Sequence, residues 1–238
     1  MYLRRKTKTQ ILKKLFIFVF FVFAIIDIIG EYYKYFNLVL VLRILIVPVA
    51  YLGFLSYKKY KFEPIGNLLA VSIIFGSLGL VVTHVIPYGV NYLQSTLIIY
   101  IIEAQIQLFI ITHYFYPKDK SIKDEFIKLI IIFSLGMIFI YFFFPMFSFT
   151  TQTIVFFRIL QFSFFIAYTF KNKLLNWQIH GSVWMLLLSN IISVLFLYIS
   201  PSKNYHILVM SSLFASKFLF VNGLIQSIKI KKDNHLEV

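Results

Sequence analysis

Arg43, Glu103, Arg158 and Lys217 carry formal charge well inside long apolar stretches of this sequence, and Asp27 lies near the end of another. A charge held in hydrocarbon costs at least about 2.5–3.5 kcal/mol, so such residues are functional candidates by default. Each type suggests a chemistry. A buried carboxylic acid such as Glu103 could pass a proton to a reacting group. A guanidinium offers planar donors to phosphate or carboxylate, which makes Arg43 and Arg158 candidate contacts for an anionic headgroup. Lys217 adds a compact cation. Ser189 and Asn190 supply a hydroxyl and an amide, which can orient a polar ligand but cannot deliver a proton as an acid does. No two histidines sit at i, i+4 spacing and there is no cysteine, so no metal site is expected. His84, His113, His180 and His206 read as interface or packing groups. No nucleophile elbow, phosphate-binding loop, dinucleotide fingerprint or zinc-protease motif occurs, and no cofactor is expected.

The elements that must position these groups are membrane helices. Sixty per cent of the 238 residues are hydrophobic and only 13% are charged, a balance that one soluble core could not hide. A helix needs about 20 apolar residues to cross the hydrocarbon core. That length picks out eight stretches: 11–29, 36–56, 66–86, 93–116, 126–147, 153–170, 181–200 and 205–228. They are continuously apolar, without the alternation of a membrane β-barrel. Short polar or Gly- and Pro-bearing turns join them, so neighbours in sequence form antiparallel hairpins.

Basic residues collect at cytoplasmic helix ends. Here they alternate from turn to turn. The N-terminal segment holds Arg4, Arg5, Lys6, Lys8, Lys13 and Lys14. The even turns hold Lys58, Lys59 and Lys61, then Lys118, Lys120 and Lys123, then Lys171 and Lys173. The C-terminal segment holds Lys229, Lys231 and Lys232, whereas the odd turns carry only Lys34 and Lys203. The alternation predicts that both termini are cytoplasmic. It also explains the net charge of +14 as topology and attraction to anionic lipid, so nucleic acid is not expected as a partner. The first apolar run lacks a small-residue cleavage site and reads as a retained helix. Leu236-Glu237-Val238 reads as a remnant of an expression tag, which leaves 1–235 as a single transmembrane domain.

With this topology the conspicuous residues fall between mid-membrane and the outer half. Arg43 sits about two turns below the outer surface of the second helix. Glu103, Asn190 and Lys217 are central, and Arg158 lies in the outer half of the sixth helix. The matching depths suggest one polar cavity open to the outer side. A structural alternative stands beside it. Arg43 and Arg158 could snorkel to headgroups, and Glu103 and Lys217 could form a pair that fixes helix register. Gly76, Ser77 and Gly79 give a small-residue face for close helix packing, and Asn222-Gly223 gives a packing notch.

Three short stretches carry a family likeness. Gly181 is followed by SVWMLLL and then Ser189-Asn190; RILIVPVAYL holds Pro48 preceded by Val47; IIFGSLGLVV holds Ser77, Gly79 and Leu80. The pattern resembles the YhhN family, eight-helix membrane proteins that include lysoplasmalogenases. The resemblance implies the fold and a reaction, cleavage of the vinyl-ether bond of a lysoplasmalogen to an aldehyde and a glycerophospho-headgroup. It also implies acidic residues where this chain has Leu80 and Asn190, so the usual reaction is not expected. Glu103 is the candidate catalytic substitute, and cations beside it would oppose that role.

Three functional readings follow. The leading one is a YhhN-like, all-α polytopic bundle of eight transmembrane helices in a bacterial inner membrane. It would bind a lipid or amphiphile, such as a lysophospholipid, through Arg43, Arg158, Ser189, Asn190 and Lys217. The second is a lipid hydrolase using Glu103 on a vinyl ether or ester. The third is a non-enzymatic subunit of a membrane complex or transporter, with a protein partner.

Overall fold

The computed structural model describes residues 2–55, 63–86, 90–116, 122–170, 172–198 and 203–233. Among them all regular structure is helical. Eight α-helices follow in order: α1 (Tyr2–Tyr32), α2 (Phe36–Leu55), α3 (Glu63–Val85), α4 (Val90–Phe115), α5 (Ile122–Tyr141), α6 (Phe149–Thr169), α7 (Trp177–Tyr198) and α8 (Lys203–Asp233). One 3-10 turn, Phe144–Met146, sits between α5 and α6. The number of helices expected from the apolar stretches is met. The ends extend further than apolarity alone suggests, because helical backbone continues into the basic flanks of α1 and α8. Lys58, Lys59, Lys61, Lys118, Lys120, Lys171 and the C-terminal Leu236-Glu237-Val238 lie outside the described residues.

Local chemistry sets several boundaries. Lys34 adopts φ 62°. The Tyr35 N–H bonds the Gly30 carbonyl at 2.8 Å and the Lys34 N–H bonds the Glu31 carbonyl at 3.1 Å, the paired bonds of a Schellman stop for α1. Ser148 caps α6, its hydroxyl accepting from the Thr151 N–H at 3.3 Å. Asn176 caps α7 by accepting from the Gln178 N–H at 3.0 Å. The end of α4 is closed from outside: the Lys231 ammonium donates to the Tyr114 carbonyl at 2.8 Å and the Asn172 amide to the Phe115 carbonyl at 3.0 Å. A cation there also suits the negative end of the helix dipole.

Seven helices form a closed ring in the order α1, α2, α3, α4, α6, α7, α8, with α8 returning to α1 and also touching α2. α5 stands outside this ring and packs on α6. The interior is filled by buried Phe20, Ile46, Leu69, Ile110, Phe165 and Phe220. The notch in α8 is real: a Cβ on Gly223 would come within 2.8 Å of the Ile179 backbone nitrogen, so only glycine lets α8 approach the start of α7 this closely. Outward positions are apolar too, among them Phe18, Ile74, Ile98, Leu135 and Leu208, as a lipid-facing surface requires.

Seven of the helices are long and apolar enough to cross a membrane, all except α5. The exception has a physical cause. Lys123, Asp124, Glu125 and Lys128 occupy the first turns of α5, and the helix stops at Tyr141 rather than running to 147. The apolar part, 129–141, spans about 20 Å at 1.5 Å per residue, short of the roughly 30 Å of a typical hydrocarbon core.

Candidate functional site

The charged residues inside the bundle fall into three groups. The deepest joins α4 to α8. These helices are not neighbours in the ring, so the long side chains of Glu103 and Lys217 meet across its interior in a direct ion pair. Both are almost fully buried. Gln107, one turn beyond Glu103 on the same helix face, donates to the second carboxylate oxygen at 3.1 Å and lies 3.2 Å from the Ser72 hydroxyl. The Lys217 ammonium lies 4.8 Å from the Tyr100 ring centroid. Gly76 makes the space, since a Cβ there would meet a Glu103 oxygen at 2.7 Å and the Lys217 nitrogen at 3.3 Å. Gly79, one turn on, lies against the Tyr100 ring. The small-residue face expected on α3 therefore serves close packing and also houses the ion pair.

The second group lies where the end of α1 meets the starts of α2 and α8 and the end of α3. Arg43 is completely buried and does not snorkel. Its Nε donates to Asp27 at 3.1 Å, Nη2 to Glu31 at 3.0 Å and Nη1 to the Thr83 hydroxyl at 3.2 Å. His84 contacts the same Glu31 oxygen at 3.0 Å and the Phe36 carbonyl at 3.1 Å. His206 lies 3.6 Å from the other Glu31 oxygen. Arg43 is thus a tie among helices, its donors filled by protein groups. His84 is more than a packing group: it belongs to this network. The spacing of Asp27 and Glu31, four residues apart on one helix face, was the available sign of a shared cation.

The third group differs in its cation, which makes no ion pair among the described residues. Arg158 on α6 is buried. Its Nη1 donates to the Tyr100 carbonyl at 2.9 Å and to Gln161 at 2.6 Å. Gln161 is fixed in turn, donating to the Ile101 carbonyl at 2.7 Å and lying 3.3 Å from Gln105. The Phe162 ring sits 4.6 Å from the guanidinium carbon. The Arg158 Nε and Nη2 atoms have no hydrogen-bond partner. Native interiors rarely leave such donors unmatched.

Arg158 lines a groove of about 330 Å³ whose floor is α6 and whose walls come from α5 and α7, with α4 at one end. Its lining is almost wholly apolar, including Leu97, Ile132, Leu135, Phe162, Trp184 and Leu187. Asn190 also lines it, with its amide donating to the Leu186 carbonyl one turn back. Ser189, the next residue, points elsewhere: its hydroxyl lies 3.3 Å from the Val209 carbonyl of α8. Consecutive helical residues differ by about 100° in direction, so the two could not both face one cavity.

Of the residues expected to share a site, Arg158 and Asn190 come together at the groove. Glu103 and Lys217 come together as a pair, and Arg43 and Ser189 are each engaged elsewhere. The expected single cavity is divided in this way because charged side chains near one depth on different helices found separate partners. Sequence reasoning gave no role to Tyr100 or Phe162, which position Arg158; a backbone carbonyl acceptor and a ring over a guanidinium leave no spacing signal. Among the described residues no group of three or more His, Asp or Glu could hold a metal ion. Compared with known proteins, the chain matches no protein-family model, no curated protein and no solved structure.

Proposed function

We propose that this chain is a YhhN-like integral membrane protein that binds a lipid or other amphiphile in the groove between α5, α6 and α7. The observation that carries the reading is that Arg158, a buried guanidinium with two unmatched donors, is among the residues that line an apolar groove. An apolar recess with a few convergent polar groups is the usual form of a small-molecule site. An amphiphile satisfies both parts, its chain in the recess and its polar end on the cation. Eight spans with both termini in the cytoplasm of a bacterial inner membrane complete the proposal, supported by the alternation of basic residues between turns. In that arrangement α5 crosses as a short helix around which the bilayer must thin.

The hydrolase reading draws no comparable support. Both Glu103 oxygens accept from neighbouring donors, Lys217 on one and Gln107 on the other. A carboxylate held in this way is an acceptor, whereas vinyl-ether hydration begins with proton donation. Leu80, at a position where the family resemblance implies an acid, is fully buried among apolar side chains.

Native mass spectrometry of the detergent-purified protein tests the binding reading. The expected result is a bound species of lipid mass that is reduced in Arg158→Met. A folded protein carrying no amphiphile, with a stoichiometric protein partner instead, would favour a subunit role and overturn the proposal.

A further inference from the structure

The geometry at Arg158 narrows which polar end the groove receives. Resting on the amphiphile-binding reading, we propose that the groove takes a single-chain carboxylate, a free fatty acid, with its carboxylate docked side-on against Arg158. The guanidinium is planar and presents its N–H groups along fixed edges. One end of the fork is used, since Nη1 serves the Tyr100 carbonyl and Gln161. The two atoms left without partners, Nε and Nη2, form the side edge of the guanidinium; they are closed to water, so an anion reaches them from the groove only as neighbouring apolar side chains move aside. The N–H bonds of Nε and Nη2 run parallel, and that edge matches the two oxygens of one carboxylate in a bidentate pair. Phe162 covers a face of the group, so an anion must approach in the plane of the edge.

Charge balance points the same way. Around Tyr100 the interior holds two cations, Lys217 and Arg158, and one carboxylate, Glu103, which Lys217 already engages. One buried positive charge remains without a counter-ion among the described residues. A buried charge is stable when paired and hydrogen-bonded, and one carboxylate supplies both.

The rest of the groove argues against a larger headgroup. Besides Arg158 its polar lining includes Ser163 and Asn190. The Ser163 hydroxyl donates to the Ile159 carbonyl at 2.8 Å, and the Asn190 amide to Leu186. A glycerophosphate with its hydroxyls or choline would leave many polar atoms unmet, at about 1–3 kcal/mol for each buried group. Arg158 also lies nine residues inside α6 from Phe149, or about 13 Å along the axis. A strongly hydrated headgroup would have to be drawn that far from water, whereas a carboxylate is compact and its whole charge is met by one fork.

Equilibrium binding of radiolabelled palmitate to the full-length protein in nanodiscs tests the proposal. The competitors are unlabelled palmitate, palmitic acid methyl ester and palmitoyl lysophosphatidylcholine. Palmitate should bind saturably, and the methyl ester, with the same chain and no charge, should compete at least about tenfold more weakly. Arg158→Lys keeps the charge but loses the fork and should weaken binding by about tenfold. Arg158→Met should abolish it. Because Arg158 also ties α6 to α4, Ile132→Trp provides a second variant: it fills the groove from α5, leaves the Arg158 bonds in place and should also abolish binding. If the ester or the lysophospholipid competes as well as palmitate, the carboxylate assignment is overturned and amphiphile binding stands. If none of the three binds to folded wild-type protein, both fail.

Discussion

At the scale of single residues, what matters is whether each buried charge has its partners inside the protein. Glu103 and Lys217 do, and the consequence is measurable. Removing one member of a buried pair leaves the other uncompensated, at about 3–5 kcal/mol. Lys217→Met should therefore lower the thermal unfolding temperature of the purified protein strongly. The double variant Lys217→Met/Glu103→Leu should recover much of the loss, because two apolar residues of similar size leave no orphaned charge. A double variant no more stable than the single one would show that the pair does more than neutralise itself. Residues of this kind were legible from the sequence as anomalies, since charges in apolar runs are conspicuous. Their partners were not. Depth along a helix follows from counting residues, but direction around the axis depends on how the helices are rotated in the bundle. Ser189 and Asn190 show the difference: adjacent in sequence, one faces α8 and the other the groove.

At the scale of elements, helix existence was readable and helix termination less so. Apolar length marked eight helices, but caps and stops rest on hydrogen bonds that hydropathy does not register. α5 is the clear case. Its apolar run continues through the aromatic residues to Phe147, yet Pro145 lacks an N–H and the chain turns after Tyr141. The stop of α1 gives a prediction at this scale. Lys34 holds a left-handed conformation with φ 62°, which costs a side-chain-bearing residue about 1–2 kcal/mol. Lys34→Gly should stabilise the protein by up to about 1 kcal/mol after the greater freedom of glycine in the unfolded chain is offset. Thermal unfolding in detergent measures it, and a lower unfolding temperature would contradict the role assigned to the turn.

At the scale of the whole molecule, seven helices enclose an interior that holds two clusters of paired charges, and α5 stands outside against α6. The position of α5 makes the groove: a helix seated on one neighbour leaves a recess between itself and α7. None of this arrangement could be read from apolar spacing, because every helix is apolar on most of its surface and ring order leaves no periodic mark. The crossing of α5 is open to a direct check, helped by the absence of native cysteine. Lys120→Cys and Phe142→Cys should react with an impermeant maleimide from opposite sides of the membrane, Lys120→Cys from the cytoplasm. Labelling of both from one side would reduce the proposed spans to seven. In the proposed binding mode an acyl chain occupies the α5–α6–α7 groove with its charged end on Arg158. A palmitate carrying a diazirine on its chain, photolysed in membranes containing the protein, tests this most directly through the peptides it labels. Adducts are expected on 132–140, 155–166 and 184–194 and should be lost in Arg158→Met. Adducts spread over the lipid-facing surfaces of α1 and α2, or unchanged by that substitution, would contradict this binding mode.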